Sequence, residues 1–386
     1  MSRLLIVQYD GDWRAADARR RAGEGEVYYG HGYMLDQLAH LRRHGDVGIL
    51  SALAEPHVET LPSGVTAIGA GADADREAER VWRAIRDYDP SHLILTGPMM
   101  PLLAGALGQK DLKLGVVMAD SFAHPYYRWV RFRRLPAMLN DARVTLVANH
   151  GVNAARGLAD LGVRRDKILA WDFPHRRTPE SMPVKPAPGP APHSLLYVGT
   201  ISAKKGVGDL IRAVARLPDV KLDIAGRGQV TRFAALARRL GIAERVRFLG
   251  LIANDRVSAL MHAADAVIVP SRHSFPEGLP LTLFEGLASR TPVIASDHPM
   301  FDGHLRDGDS ALVVPAGRPR ALAEAIARLM RDPALYARLS AGSAAAWHHM
   351  QHPVKWGAMI DHWMADGPED RAWLSAHTLA ASGAAL

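Results

Sequence analysis

Short apolar runs alternate with stretches of helical rhythm along most of the chain, and the alternation is clearest from His193 onward. There SLLYVG, VKLDIAG, RVRFLG and AVIVPS are strand-sized and rich in aliphatic residues, while VGDLIRAVARL, TRFAALARRLG and RVSALMHAAD repeat their apolar positions at helical spacing. Strands that are apolar on both faces and separated by helices make repeated βα units, so this half is expected to be a parallel sheet covered on both sides. The first half repeats the theme, with RLLIVQ, VGILS, HLILTG, LGVVMA and RVTLVAN as strands and segments such as YMLDQLAHLRRHG and REAERVWRAIRDY as helices. The expected fold class is α/β, with two Rossmann-like doubly wound parallel-sheet domains facing an interdomain cleft.

Between the halves lies PESMPVKPAPGPAPH, Pro179 to His193, whose density of Pro suits an extended, semi-rigid connector. The expected organisation is a first domain over 1–178, a linker over 179–193, a second domain over 194–350 and a helical tail over 351–386 that can return to the first domain. Ahead of that tail, PRALAEAIARLMRD and PALYARLSAGSAAAWHHM have the rhythm of two amphipathic helices.

Composition narrows the class. At 386 residues, 48% hydrophobic and 23% charged, the chain has apolar material for two cores, and none of its apolar runs reaches the ~18 residues of a membrane span. MSRLLIVQYDGDW meets acidic residues directly after its apolar run, which reads as a first strand and not as a secretory leader, so a cytoplasmic location is expected. With no Cys, disulfides, thiolate metal sites and Cys nucleophiles are excluded. The net charge of +7 favours anionic partners such as nucleotides, phospholipid surfaces or nucleic acid.

Ligands of open parallel sheets bind at the loops that follow the strands' carboxyl ends. In the loop after AVIVPS, PEGLPLTLFE places Glu277 ahead of a helix and Glu285 within it, with Pro280 at the first turn, where its missing N–H costs nothing. The N–H groups of Gly278, Leu279 and Leu281 surround the positive end of that helix, a seat for a phosphate. Carboxylates beside such a seat would repel the phosphate, whereas they accept hydrogen bonds from hydroxyls; one Glu for a sugar and one for a ribose describes a nucleotide-sugar site. On spacing alone, two surface glutamates are the simpler account. After SLLYVG, the loop GTISAKKGVGDL brings Gly199, Thr200, Lys204 and Lys205 to a helix start, with cations poised for a diphosphate. AGRGQ carries Arg227 in a turn after a strand, and YYGHGYMLDQL sets Gly30 and Gly32 before a helix, offering amides to an anion or a sugar.

Taken in order, VGTISAKKGVGDLIRAV, IAGRGQ, AADAVIVPS and EGLPLTLFEGLASRTPVIAS resemble the family-4 retaining glycosyltransferases of the GT-B fold, over most of the second half and more weakly over the first. The resemblance implies transfer of a sugar from a UDP- or GDP-linked donor, with retention at the anomeric carbon, to a hydroxyl of a glycan, lipid-linked or small-molecule acceptor, with no cofactor required. It implies that Glu277 binds donor-sugar hydroxyls, Glu285 the ribose diol, the amides after Glu277 the sugar or diphosphate, and Lys205 the diphosphate charge, with Lys204 beside it. Relatives often carry Arg where Thr200 stands, and Arg227 is the candidate substitute. They also often carry a His in a VxHD-like segment of the acceptor domain. Here GVVMADSFAHPYY has Asp120 near that place and His124 four residues later, so both are acceptor-side candidates, and His124 joins Glu277 and Lys205 as a catalytic candidate. Arg290 stands where a helix-ending Gly is common, which leaves the local turn open.

The DxD motifs at Asp10–Asp12, Asp73–Asp75 and Asp307–Asp309 do not stand in the context that holds a metal in glycosyltransferases of a different fold. The His348 and His352 pair lacks the Glu of an HExxH arrangement, so no metal site is expected. The segment YYRWVRFRRLP, Tyr126 to Pro136, interleaves four arginines with aromatic residues. It reads either as a core-packed amphipathic helix with its arginines in water or as a peripheral contact with an anionic membrane. No nucleic-acid partner is expected, because no binding module accompanies the basic patch. Two other functions stand beside the transferase: a catalytically degenerate nucleotide-binding scaffold, to which Thr200 and the missing VxHD His point, and a sugar-nucleotide 2-epimerase.

Overall fold

A computed structural model describes residues 2–26 and 30–383. The chain divides into two compact units, one of residues 1–174 with 352–386 and one of residues 175–351.

In the first unit, β1 (Ser2–Gln8), β2 (Gly45–Ser51), β3 (His57–Thr60), β4 (Thr66–Gly69), β5 (His92–Leu95), β6 (Lys113–Met118), β7 (Val144–His150) and β8 (Ile168–Trp171) form one sheet in the order β3-β4-β2-β1-β5-β6-β7-β8. Every neighbouring pair is parallel except β3 with β4. Leu5, Val7, Leu93, Leu95, Val116 and Met118 project from the central strands into a core that also takes Val81 and Ile85 of helix Ala78–Tyr88. Strands β3, β4 and β8 were not among the expected elements. Strand β3 is largely exposed and polar, so it lacks the apolar run that marks a buried strand.

Residues 352–386 are part of this first unit. The backbone of Asp172 exchanges hydrogen bonds with the returning segment, accepting from Trp356 and donating to Val354, each at 3.0 Å. Helix Trp356–Ala365 buries Trp356, Met359, Ile360 and Trp363, and the Trp363 indole donates to Thr145 Oγ1 at 2.9 Å.

In the second unit, β9 (His193–Val198), β10 (Val220–Ala225), β11 (Val246–Gly250), β12 (Ala266–Val269), β13 (Val293–Ser296) and β14 (Leu312–Val314) form a wholly parallel sheet in the order β11-β10-β9-β12-β13-β14. This is the doubly wound dinucleotide-fold order, reversing between its first and fourth strands. The Pro-rich segment is not a connector between the units: the division falls between Pro174 and His175, and residues 179–193 belong to the second unit. Its polar groups explain why. The carbonyl of Pro179 accepts from Arg290 Nε at 3.0 Å, Glu180 pairs with His348 at 2.7 Å, and the Lys185 N–H donates to Ser340 Oγ at 2.8 Å. Arg290 itself takes the left-handed conformation, φ 60°, that ends helix Leu281–Ala288 where Gly is usual, and its guanidinium is held by the carbonyls of Pro179 and Ala341.

Candidate functional site

The site in the second unit follows from strand order. Because β9 and β12 are neighbours, the loop after β9 and the loop after β12 leave the sheet side by side at the point where the order reverses. They are bound closely: the N–H of Arg272 donates to Lys204 O at 2.9 Å, and the Arg272 guanidinium grips the buried Asp209 carboxylate through Nε and Nη2, each at 2.7 Å. Gly206, at φ +76°, makes this approach possible, since a Cβ there would fall 1.9 Å from Pro270 O.

Those contacts deliver Lys205 and Glu277 to one another. Glu277 is 3% exposed, and Lys205 Nζ donates to both of its oxygens, at 2.6 and 2.7 Å. The ammonium also lies 4.5 Å from the centre of the Phe275 ring. Burial pushes the Glu277 carboxyl above its ordinary value, and the Lys205 charge and hydrogen bond pull it back. The turn carrying Glu277 is fixed from a third loop. His298, after β13, is 1% exposed; its Nδ1 accepts the Met300 N–H at 3.2 Å, which leaves Nε2 to donate to Phe275 O at 3.1 Å. Burial pushes His298 down to about 4, so the ring is neutral and keeps this tautomer.

Glu285 lies in helix Leu281–Ala288, where its Oε1 accepts from Asn254 Nδ2 at 2.7 Å. Pro280 is the residue that caps the helix and not its first turn, and Thr282 Oγ1 ties the start of the helix to Val198 O at the end of β9. Gly278 is half-buried and Leu279 buried, ahead of Leu281 in the first turn. Gly199 follows β9, and the exposed Thr200 accepts the Tyr197 phenol at its carbonyl, 2.7 Å away. Lys204 and Arg227 are exposed side chains of the loops after β9 and β10, and the carbonyl of Arg227 accepts the Ile201 N–H at 2.8 Å. Gly226 lets those loops cross, because a Cβ on it would lie 1.9 Å from Gly199 O.

The remaining candidates lie in the first unit. Gly30 and Gly32 open helix His31–Leu41 as expected, but the Gly30 amide already donates to Glu26 Oε2 at 3.1 Å, and a Cβ on Gly32 would lie 3.0 Å from Glu26 Oε1. The chain's own carboxylate therefore stands at this helix start, and Tyr28 and Tyr29 of the same stretch fall outside the described residues. Asp120, just after β6, shares backbone hydrogen bonds with the Asn149 side chain, and burial pushes its carboxyl up to about 6. It lies within electrostatic reach of Tyr9, as do Asp75 and Arg131, which pair at 2.8 Å. His124 is used locally: its Nδ1 accepts the Tyr126 N–H at 3.3 Å.

The DxD motifs singled out in the sequence have structural employment. Asp12 caps helix Trp13–Arg21, Asp73 Oδ1 accepts the Asp75 and Arg76 amides, and Asp307 Oδ1 accepts the Val313 amide. Among the described residues there is no group of three or more His, Asp or Glu able to hold a metal ion, and no helix long and apolar enough to cross a membrane. Sequence reading missed Asp209, Arg272, His298 and Asn254. The first two are ordinary polar residues whose pairing across 63 positions has no local signal, and the same is true of His298.

Two α/β sheets, parallel but for the β3–β4 edge and each reversing its strand order once, have the GT-B glycosyltransferase architecture. The comparisons agree: residues 181–345 match the family model of glycosyl transferases group 1. The chain is similar to the lipopolysaccharide core biosynthesis glycosyltransferase LpsE of Rhizobium meliloti, 29% identical over 316 residues, covering 76% of this chain and 86% of that protein. It is also similar to the phosphatidyl-myo-inositol mannosyltransferase of Mycobacterium leprae, 35% identical over 158 residues, but there the match spans 40% of this chain and only 41% of the relative. Among solved structures, Anabaena HepE in complex with UDP-glucose superimposes with a TM-score of 0.67 at 16% identity, over 95% of this chain and 99% of that one. The second unit thus carries a group 1 glycosyltransferase domain, and the chain as a whole has the fold of such enzymes.

Proposed function

We propose that the protein is a retaining glycosyltransferase that moves a sugar from a nucleoside-diphosphate donor, UDP- or GDP-linked, to a hydroxyl of a glycan, lipid-linked or small-molecule acceptor. The observation that carries this reading is the buried Glu277 held by Lys205 at the β9/β12 crevice, with Glu285 in the helix that follows. Each Glu277 oxygen keeps a lone pair beyond its bond to Lys205, and these accept hydroxyls of the donor sugar. Lys205 has a third N–H for the diphosphate, and the N–H groups opening helix Leu281–Ala288 add to it. Glu285 takes the ribose diol, exchanging its Asn254 bond for hydroxyl donors. Lys204 and Arg227 supply further positive charge from the rim, in place of an Arg at position 200.

In the reaction the bond from the anomeric carbon to the leaving phosphate oxygen breaks, and a bond from that carbon to the acceptor oxygen forms on the same face. The acceptor proton passes to the departing diphosphate, whose growing charge faces Lys205 and the helix start. Asp120 orients the acceptor hydroxyl, while His124 acts through the turn that it caps. A cytoplasmic place, peripheral at the inner membrane face, belongs to the same reading.

The test is thermal unfolding of the wild type with UDP, GDP and their sugar conjugates, followed by proton NMR of the product from the donor that binds. A raised midpoint with one base series and an anomeric configuration equal to the donor's support the reading. No shift with any nucleotide, and no transfer, would overturn it in favour of the scaffold; a donor converted to its C2 epimer without an acceptor would overturn it in favour of the epimerase.

A further inference from the structure

Eight large hydrophobic side chains stand well exposed among the described residues, and three of them, Tyr126 at 52%, Trp129 at 68% and Val130 at 60%, fall within five consecutive positions. That density singles out one turn of the first unit. Tyr126–Arg131 is a π-helical turn, and all three side chains stand on its exposed side. The turn is not merely loose. Phe132 is buried and packs edge-on against Phe122 at 5.4 Å, Tyr127 stacks on Phe132 at 6.0 Å, and Arg128 Nη2 donates to Asp160 O at 2.8 Å. The anchoring residues point inward, so the outward aromatic face is presented by a fixed scaffold.

Positive charge surrounds that face. Arg128 lies 4.9 Å from the Trp129 ring centre, and Arg131 is paired with Asp75, but the exposed Arg133 and Arg134 have no side-chain partner among the described residues. We propose that this strip, Tyr126 to Arg134, docks on an anionic lipid bilayer, with Trp129, Tyr126 and Val130 entering the interface and Arg133 and Arg134 lying among the headgroups. This deepens the reading above by naming the surface that makes the peripheral contact. Aromatic rings favour the headgroup level, where one end is apolar and the other wet, and an aliphatic Val beside them suits acyl chains better than it suits nucleic acid. A second copy of the chain fits poorly, because a two-fold contact through the same strip would set Arg133 and Arg134 of both copies against each other. The strip begins six residues after Asp120, so docking would bring a lipid-linked hydroxyl to the acceptor side of the first unit.

The experiment is co-sedimentation of the full chain with vesicles of phosphatidylcholine alone and of phosphatidylcholine with phosphatidylglycerol, which uses no sugar donor and so fails or succeeds separately from the transferase reading. The wild type is expected to bind only the anionic vesicles. Replacing Arg133 and Arg134 together by Gln should weaken partitioning roughly 25-fold, about fivefold per charge. Trp129→Ser should weaken it several-fold even in high salt, where the charge contribution is screened. Replacing Arg238 and Arg239 by Gln, an equal charge change on the exposed end of helix Val230–Arg239, should leave it nearly unchanged, and all variants should keep the wild-type unfolding midpoint. The proposal is overturned if anionic vesicles bind no protein at low salt, if both pairs of arginines weaken binding equally, or if Trp129→Ser instead converts a dimer to a monomer in sedimentation velocity.

Discussion

The two units share a topology and differ in what they place at its reversal point. In the second, between β9 and β12, a half-buried lysine holds a buried carboxylate and a helix begins beside them. In the first, between β1 and β5, Tyr9 lies across Gly97 so closely that a Cβ there would sit 2.6 Å from its ring, and the charged groups around its phenol are Asp75, Asp120, Asp73 and Arg131. One reversal point sets a cation against a buried carboxylate. The other is rich in carboxylates, which repel phosphate and accept hydrogen bonds from hydroxyls. The difference teaches that strand order supplies two equivalent mouths and that loop residues assign them opposite chemistry, in keeping with a donor at one and a polyhydroxyl acceptor at the other.

That contrast can be broken most forcefully at Glu277. Glu277→Gln keeps the shape and removes the charge, and sugar transfer is expected to fall about 10²–10³-fold in a steady-state assay. If transfer survives, the anion-and-hydroxyl account of the second crevice is wrong. Next in size is Lys205→Met, which leaves a buried carboxylate unpaired and should cost about 3–5 kcal/mol of stability by urea denaturation. The double variant with Glu277→Gln should recover part of that loss, because neither charge is then stranded. A smaller effect is expected for Glu285→Gln, about a tenfold rise in the Kd of the nucleoside diphosphate measured by calorimetry, with the unfolding midpoint little changed.

The first crevice is sharpened by pH. The Asp120 carboxyl is pushed up to about 6 in the folded state from an ordinary 3.8, so the folded protein holds that proton more tightly than the unfolded chain does. Its contribution therefore turns against folding as pH rises from 3.8 through about 6 and stays adverse above that. Asp120→Asn lacks this term, and its urea midpoint should gain on the wild type between pH 4 and pH 7. An unchanging difference between the two proteins across that range would show Asp120 to be well solvated and the crevice less enclosed than its residues imply.

Much of the fold was legible from the order of residues alone. Strands β1, β2, β5, β6 and β7, and β9 to β12 in the second unit, announce themselves as apolar runs between helical rhythms. The alternation of strand and helix also carries the class, since successive parallel strands need crossover helices. Strand β3 was not legible, being a polar, exposed edge paired only with β4. The Pro-rich segment misled because composition reports stiffness and not attachment: its hydrogen bonds to Arg290, His348 and Ser340 bind it to the second unit.

The candidate site divides along the same line. Glu277, Gly278, Leu279, Leu281 and Glu285 could be picked out together because they lie within one loop and the helix that follows, where spacing is itself geometry. Pairing Glu277 with Lys205, 72 positions away, required β12 to settle beside β9, and fixing the tautomer of His298 required burial against two backbone groups. The Gly30 amide, open to an anion as far as sequence shows, meets Glu26. Periodicity and turn chemistry are local properties that a short window of residues already contains. Charge pairing and desolvation depend on which distant loops share a crevice, and that is set when the sheets assemble.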